Sequence, residues 1–167
     1  MSRPVVGIVL GSESDRPLME EATRTLAEFD LPCEVVVASA HRAPDLVDHY
    51  ARAAEERGLR VLIAAAGGAA HLAGVIAART VLPVIAVPLA ATPLGGLDAL
   101  LSAVQMPPGV PVATVSIGAW GARNAALLAV EMLALSDAAL RARLREFKAA
   151  MARKIEAASG FSPGVTR

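Results

Sequence analysis

Five short runs of branched apolar residues recur along the chain, at 5–10, 35–37, 61–65, 84–87 and 112–115. Each is nearly free of polar alternation, the pattern of a strand covered on both faces. Between them lie stretches with helical spacing. Leu18, Met19, Ala22, Leu26 and Phe29 make one apolar stripe, and Leu46, Val47, Tyr50, Ala51 and Ala54 make the next. Pro44 suits a first helical turn, where its missing N–H costs nothing, and Gly58 suits a helix C-terminus. This alternation predicts a parallel sheet with right-handed crossovers and helices on both faces. The expected architecture is α/β: a three-layer α-β-α sandwich of the flavodoxin-like or Rossmann-like kind.

At 167 residues the chain is long enough for a substantial core and short enough for one domain, expected at 1–158. The segment 159–167, with glycine and proline, reads as a flexible tail. The last helix is expected to start near Ser136 and Asp137, with Leu140, Leu144, Phe147, Met151 and Ile155 on one face and Arg and Lys on the other. It reads as a surface helix packing on a neighbouring subunit. The segment 122–135 is apolar nearly all round, interrupted only by Arg123, Asn124 and Glu131. A helix without a polar face is buried. In a domain this small, burial against a sister subunit is the natural outcome, so a homo-oligomer is expected.

Several classes of function fall away on composition. Sixteen basic and sixteen acidic side chains give a formal net charge of zero, and the aromatics are one Trp, one Tyr and three Phe. No basic stripe interleaved with aromatics is present, which argues against nucleic acid as a partner. Cys33 is the single cysteine, so no internal disulfide forms, and a reduced cytoplasmic setting fits. The hydrophobic fraction, 54%, is high, and 61–78 and 80–97 carry no formal charge. Gly67, Gly68, His71 and Gly74 break up the first stretch; Pro83, Pro88, Pro93, Gly95 and Gly96 break up the second. Neither is expected to span a membrane. No secretory signal is expected at the amino terminus.

Polar chemistry concentrates in three loops that follow the first three strands, the position at which an open α/β sheet displays ligands. In the first, Gly11-Ser12-Glu13-Ser14-Asp15, glycine allows a tight turn and helix-start N–H groups suit an anion. Ser12 and Ser14 add hydroxyls, and Asp15 accepts from sugar hydroxyls; taken alone, the loop equally fits a plain helix cap. It is neither a Walker loop nor a dinucleotide fingerprint. The second loop holds Ser39, His41 and Arg42. Arginine grips phosphate bidentately, and a neutral imidazole serves as a base near pH 7. The third, Gly67-Gly68-Ala69-Ala70-His71, admits a flat ligand close to the backbone and offers one reactive side chain in apolar surroundings. By itself His71 also fits a core histidine satisfied by a backbone carbonyl. His49, on an amphipathic helix, is assigned no role. The small-residue segment 88–98 reads as a lid or an inter-subunit wall, and 105–109 as a rigid turn. Three histidines and one cysteine fall at no metal-ligand spacing, and no Gly-x-Ser-x-Gly elbow is present, so neither a metal site nor serine catalysis is expected.

Four motifs occur together: Gly-Ser-x-Ser-Asp at 11–15, Ser-Ala-His-Arg-x-Pro-Asp at 39–45, Ala-Gly-Gly-Ala-Ala-His-Leu at 66–72 and Gln-Met-Pro-x-Gly at 105–109. In this order and spacing they resemble the N5-carboxyaminoimidazole ribonucleotide mutase family, the bacterial-type (class I) enzymes of de novo purine biosynthesis. The resemblance implies an isomerisation with no metal and no cofactor. The N-linked carboxylate leaves as carbon dioxide and is recaptured at ring carbon C4, inside a closed site. It implies His41 as the proton-handling catalytic residue. Ser12 and Asp15, with Ser39 and Arg42, become substrate contacts: Arg42 and nearby hydroxyls on the phosphate, Asp15 on the ribose. Gly67, Gly68 and His71 line the cavity for the migrating carboxyl group, and Gly11, Ser14, Ala66 and Leu72 complete the substrate-binding set. The partners implied are a small-molecule nucleotide, sister subunits in a homo-octamer, and a preceding carboxyaminoimidazole ribonucleotide synthase that hands over its product. Ala73 stands where the family commonly has proline, and 94–99 vary on a Ser/Gly-rich loop. Two alternatives stand beside the mutase: a related carboxylase using free carbon dioxide, whose sequence differs where this chain has 67–71, and a non-catalytic nucleotide-binding module.

Overall fold

A computed structural model describes residues 3–159. The chain divides into two compact units, one ending at Ala129 and one beginning at Val130. The first contains strands β1 (Val6–Leu10), β2 (Cys33–Val37), β3 (Val61–Gly67), β4 (Val84–Leu89) and β5 (Ala113–Thr114). Between them lie helices α1 (Arg16–Glu28), α2 (Pro44–Ala53), α3 (Leu72–Ala77) and α4 (Leu97–Val104). A further helix, α5 (Ala119–Ala134), starts in the first unit and ends in the second.

All strand pairs are parallel, in the order β2-β1-β3-β4-β5. This is the flavodoxin-like order, which decides between the two doubly wound expectations. The chain leaves β1 toward β2, then returns past it to β3, so the strand order reverses at β1/β3. Leu10 is level with Val37 on one side and Ala65 on the other, so the loops after these three strands emerge at one edge.

Burial explains why the runs read as strands. Every residue of β1 and β4 is buried, as are Val61–Ala65 of β3. On one face, Val9, Leu62, Ala64, Val84 and Ala86 pack with Val47 and Tyr50 of α2, Leu72 and Ile76 of α3, and Ala103 of α4. By the two-residue period of a strand, Ile8, Ile63 and Ile85 face the other side, where Met19, Ala22 and Leu26 of α1 are also buried. Glu21 of α1 bonds Arg123 of α5 at 2.8 Å on that layer.

Local expectations hold with adjustments. Pro44 starts α2, whereas the helix ends at Ala53 and unwinds through turns to Gly58 (φ +91°). Leu18 and Leu46, placed in the core stripes from spacing, are 42% and 48% exposed; each sits one position off the centre of its buried face. The fifth strand is only two residues long, because the sheet's edge pairs Ala113 and Thr114 alone with β4. The helix expected at 122–135 begins three residues earlier and ends at Ala134.

In the second unit, α6 (Ala138–Ser159) is capped as its sequence indicates, Asp137 Oδ1 accepting from Leu140 N at 2.9 Å. Leu140 and Leu144 are buried, while Met151 and Ile155 stand 45% and 70% exposed. The flexible tail was expected from 159; Ser159 closes α6, and 160–167 lie outside the described residues.

Candidate active site

The loops after β1, β2 and β3 enclose a cavity of about 350 Å³ at the point where the strand order reverses. Its wall includes Gly11, Ser12, Ser14 and Asp15 from the first loop, and Ser39, His41 and Arg42 from the second. Ala66, Gly67, His71 and Leu72 come from the third. Residues far apart in sequence meet here because parallel strands deliver their C-terminal ends to one edge.

A single turn of 3₁₀ helix, Glu13–Asp15, follows Ser12 and turns the first loop into α1. Asp15 Oδ2 accepts from Ser12 N at 3.0 Å, and Ser14 Oγ donates to Ser12 Oγ at 2.9 Å. Asp15 is 8% exposed. Burial pushes its carboxyl above the ordinary carboxylate value, against the pull of the Ser12 N–H and the Arg42 guanidinium. Arg42 ties two loops together: Nη2 donates to Gly11 O at 2.9 Å, and Nε donates to Ser39 Oγ at 3.2 Å. Its guanidinium is exposed at the cavity wall, a planar cation suited to a phosphate or carboxylate.

The two histidines face each other. His41 Nε2 lies 2.8 Å from His71 Nδ1, with the rings edge to face at 5.0 Å between centroids. That distance requires one shared proton, so the tautomer of one ring sets the tautomer of the other. His71 is exposed and pairs with His41, which corrects the expectation of apolar surroundings and the core-histidine alternative. It sits at the mouth of the third loop, just before α3, where the side chain faces the neighbouring loop.

Glycine at 67 is required by packing. A Cβ there would fall well inside contact with Ala91 Cβ and 3.1 Å from the Leu89 carbonyl oxygen. Gly68 does not line the cavity; with φ at +60° it turns the chain, and a Cβ there would face Thr92. This corrects its placement on the wall. Ala40, Ala69 and Ala91 also line the cavity, and their residue type alone marks none of them as a contact. The signal was present for Ala91, since the stretch 88–98 of small residues reads as a wall, but nothing in the pattern says which residue faces inward. Among the described residues no cluster of three His, Cys, Asp or Glu side chains is disposed to hold a metal ion.

Comparison with known proteins matches the chain to a family. A family model described as AIR carboxylase matches residues 5–154. An N5-carboxyaminoimidazole ribonucleotide mutase of Mycobacterium tuberculosis is 61% identical over 146 residues, covering 87% of this chain and 83% of the relative. One from Pyrococcus horikoshii is 54% identical over 154 residues, covering 92% and 86%. The crystal structure of Treponema denticola PurE superposes with a TM-score of 0.81 at 28% identity, covering 92% of this chain and 94% of that one. With a family match running from the first strand deep into the last helix, the chain belongs to the AIR carboxylase family.

Proposed function

We propose that this chain is an isomerase of purine biosynthesis, converting N5-carboxyaminoimidazole ribonucleotide to 4-carboxy-5-aminoimidazole ribonucleotide. The observation that carries the reading is the His41–His71 pair, 2.8 Å apart, in the same small-walled cavity as Arg42, Ser39 and Asp15. Relatives at 54% and 61% identity carry the mutase name, which favours exchange within the site over carboxylation by free carbon dioxide.

The chemistry asks little of the protein beyond confinement and a proton. Loss of the N-carboxylate breaks the nitrogen–carbon bond, leaves the electron pair on nitrogen, and requires a proton there. Ring carbon C4 then attacks the released carbon dioxide, and the C4 proton leaves to restore the aromatic ring. One proton is added and one removed, so a single imidazole, His41, gives it and recovers it. Arg42 with Ser39, Ser12 and Ser14 anchors the phosphate, and Asp15 accepts from the ribose. Gly11, Ala66, Gly67, His71 and Leu72 belong to the substrate-binding set, with the small residues leaving room for a linear neutral molecule. Carbon dioxide is weakly held by any polar group, so retention depends on closed walls and short diffusion distances.

The active form in this reading is a homo-oligomer, an octamer in which α6 packs on a neighbouring subunit and residues 1–158 form one domain. Exposed Leu97, Leu101 and Val104 on α4 and Trp120, 81% exposed, support burial by a second copy. No helix among the described residues is long and apolar enough to cross a membrane, in keeping with a cytoplasmic enzyme that receives its labile substrate from the preceding synthase.

The test is a comparison of two substrates on the wild-type protein. The N-carboxylated ribonucleotide, followed by proton NMR, should isomerise far faster than aminoimidazole ribonucleotide with bicarbonate is carboxylated. The opposite ranking identifies a carboxylase. Binding with no turnover of either identifies a non-catalytic module.

A further inference from the structure

The segment that follows β4 carries a side-chain clasp that the chemistry above does not use. Ala91 forms part of the cavity wall, pressed against the backbone at Gly67. The next residue, Thr92, lies over Gly68: a Cβ there would meet the Thr92 methyl at 3.8 Å. The Thr92 hydroxyl donates to Asp98 Oδ2 at 2.7 Å and accepts from Leu94 N at 3.2 Å, while Thr92 O accepts from Gly95 N at 3.1 Å. Gly95 (φ +62°) and Gly96 (φ +88°) then fold the chain back, so that Gly96 rests on Ala90 and Ile117. Asp98 is in the first turn of α4, and its other carboxylate oxygen is buried with no hydrogen-bond partner among the described residues. The Thr92 hydroxyl is thus the side-chain donor that fixes this carboxylate.

We infer that Asp98 and Thr92 are positioning residues for the cavity wall: the clasp anchors the loop to α4 and holds Ala91 against Gly67, closing the site around carbon dioxide. The inference rests on the isomerase reading. Its chemical consequence is specific. With Ala91 held, carbon dioxide stays beside C4 and is recaptured; with the wall loosened, it escapes and aminoimidazole ribonucleotide accumulates. The clasp therefore governs how the intermediate divides between recapture and loss, without touching the reacting atoms.

The experiment measures that division directly. Wild type, Thr92→Val, Thr92→Ser and Asp98→Asn are each incubated with substrate carrying ¹³C in its carboxyl group, in unlabelled bicarbonate buffer. The products are then quantified by NMR. Thr92→Val keeps the side-chain shape without the hydroxyl; the ratio of aminoimidazole ribonucleotide to labelled carboxylated product should rise about tenfold, the scale of losing one hydrogen bond to a charged group. Thr92→Ser should return the ratio to within about twofold of wild type, as it keeps the donor. Asp98→Asn, which retains an acceptor but no charge, should fall between, and it serves as the test should Thr92→Val not fold. A merely structural role would lower thermal stability in all variants and leave the product ratio unmoved. An unchanged ratio in folded Thr92→Val, or in Asp98→Asn if the former is insoluble, overturns the inference. Failure of the wild type to make any carboxylated product overturns the isomerase reading instead.

Discussion

Replacing Gly67 by alanine adds one methyl group at the tightest point of the cavity wall. The new Cβ would fall well inside contact with Ala91 Cβ, 3.5 Å from Ala91 Cα and 3.1 Å from the Leu89 carbonyl oxygen. None of these is the free end of a flexible side chain, so relief requires backbone movement at 89–91. Restoring an ordinary carbon–carbon separation of ~3.5–4.0 Å takes a displacement of about 1 Å. Overpacking of this kind costs about 2 kcal/mol, which lowers Tm by about 4–8 °C for a domain of this size. The same displacement of the wall should lower kcat/KM by about a hundredfold. Gly11→Ala is the paired control: its Cβ meets Ala66 Cβ at 3.4 Å and Ala65 O at 3.6 Å, near-ordinary contacts. Its stability loss should stay under about 1 kcal/mol. Thermal unfolding by circular dichroism, with isomerisation kinetics on the same preparations, decides the matter. Equal Tm values for both variants, or wild-type turnover in Gly67→Ala, would refute the packing argument.

Three further outcomes follow from the same contacts. Arg42→Lys loses the fork that spans Gly11 O and Ser39 Oγ, and KM for the ribonucleotide should rise about tenfold or more, measured by steady-state kinetics. Asp15 has a carboxyl raised above its reference of 3.8 chiefly by burial, so the folded state holds its proton more tightly than the unfolded chain does. Its contribution to stability is present below about pH 4 and is lost as pH rises through the folded value. The Tm of Asp15→Asn relative to wild type should therefore increase between pH 3 and pH 6, by thermal melts across that range; a flat difference contradicts the assignment. Tyr50 donates to Glu34 at 2.8 Å under the Arg57 guanidinium, away from the cavity. Tyr50→Phe should cost about 1 kcal/mol in denaturant unfolding and leave turnover within about twofold.

Much of this arrangement was legible in the residues alone. Branched apolar runs located the strands because both faces of β1, β3 and β4 are covered, which removes polar alternation. Placement of Asp15, His41 and His71 in one cavity followed from the loop positions, since parallel strands end on a common edge. What the pattern did not carry was orientation. His71 reads as apolar in context because its neighbours in sequence are alanine and leucine, yet its partner is a histidine thirty residues away. Gly68 reads like Gly67, and only the backbone angle separates the turn former from the wall. The strand order that selects flavodoxin-like over Rossmann-like topology depends on crossovers, which leave no trace in a strand–helix alternation. The Thr92–Asp98 clasp was invisible for a related reason: threonine and aspartate six apart around two glycines fit any polar turn.

The central claim is that one imidazole, on His41, moves the proton while the cavity keeps the carbon dioxide. The most direct measurement is turnover of the N-carboxylated ribonucleotide by His41→Asn, beside thermal melts and sedimentation. His41 is exposed, with its ring bonded to His71, so His41→Asn should keep the wild-type sedimentation profile and a Tm within about 3 °C, with turnover reduced by about a thousandfold. Wild-type turnover in a folded His41→Asn protein that sediments like the wild type would contradict it.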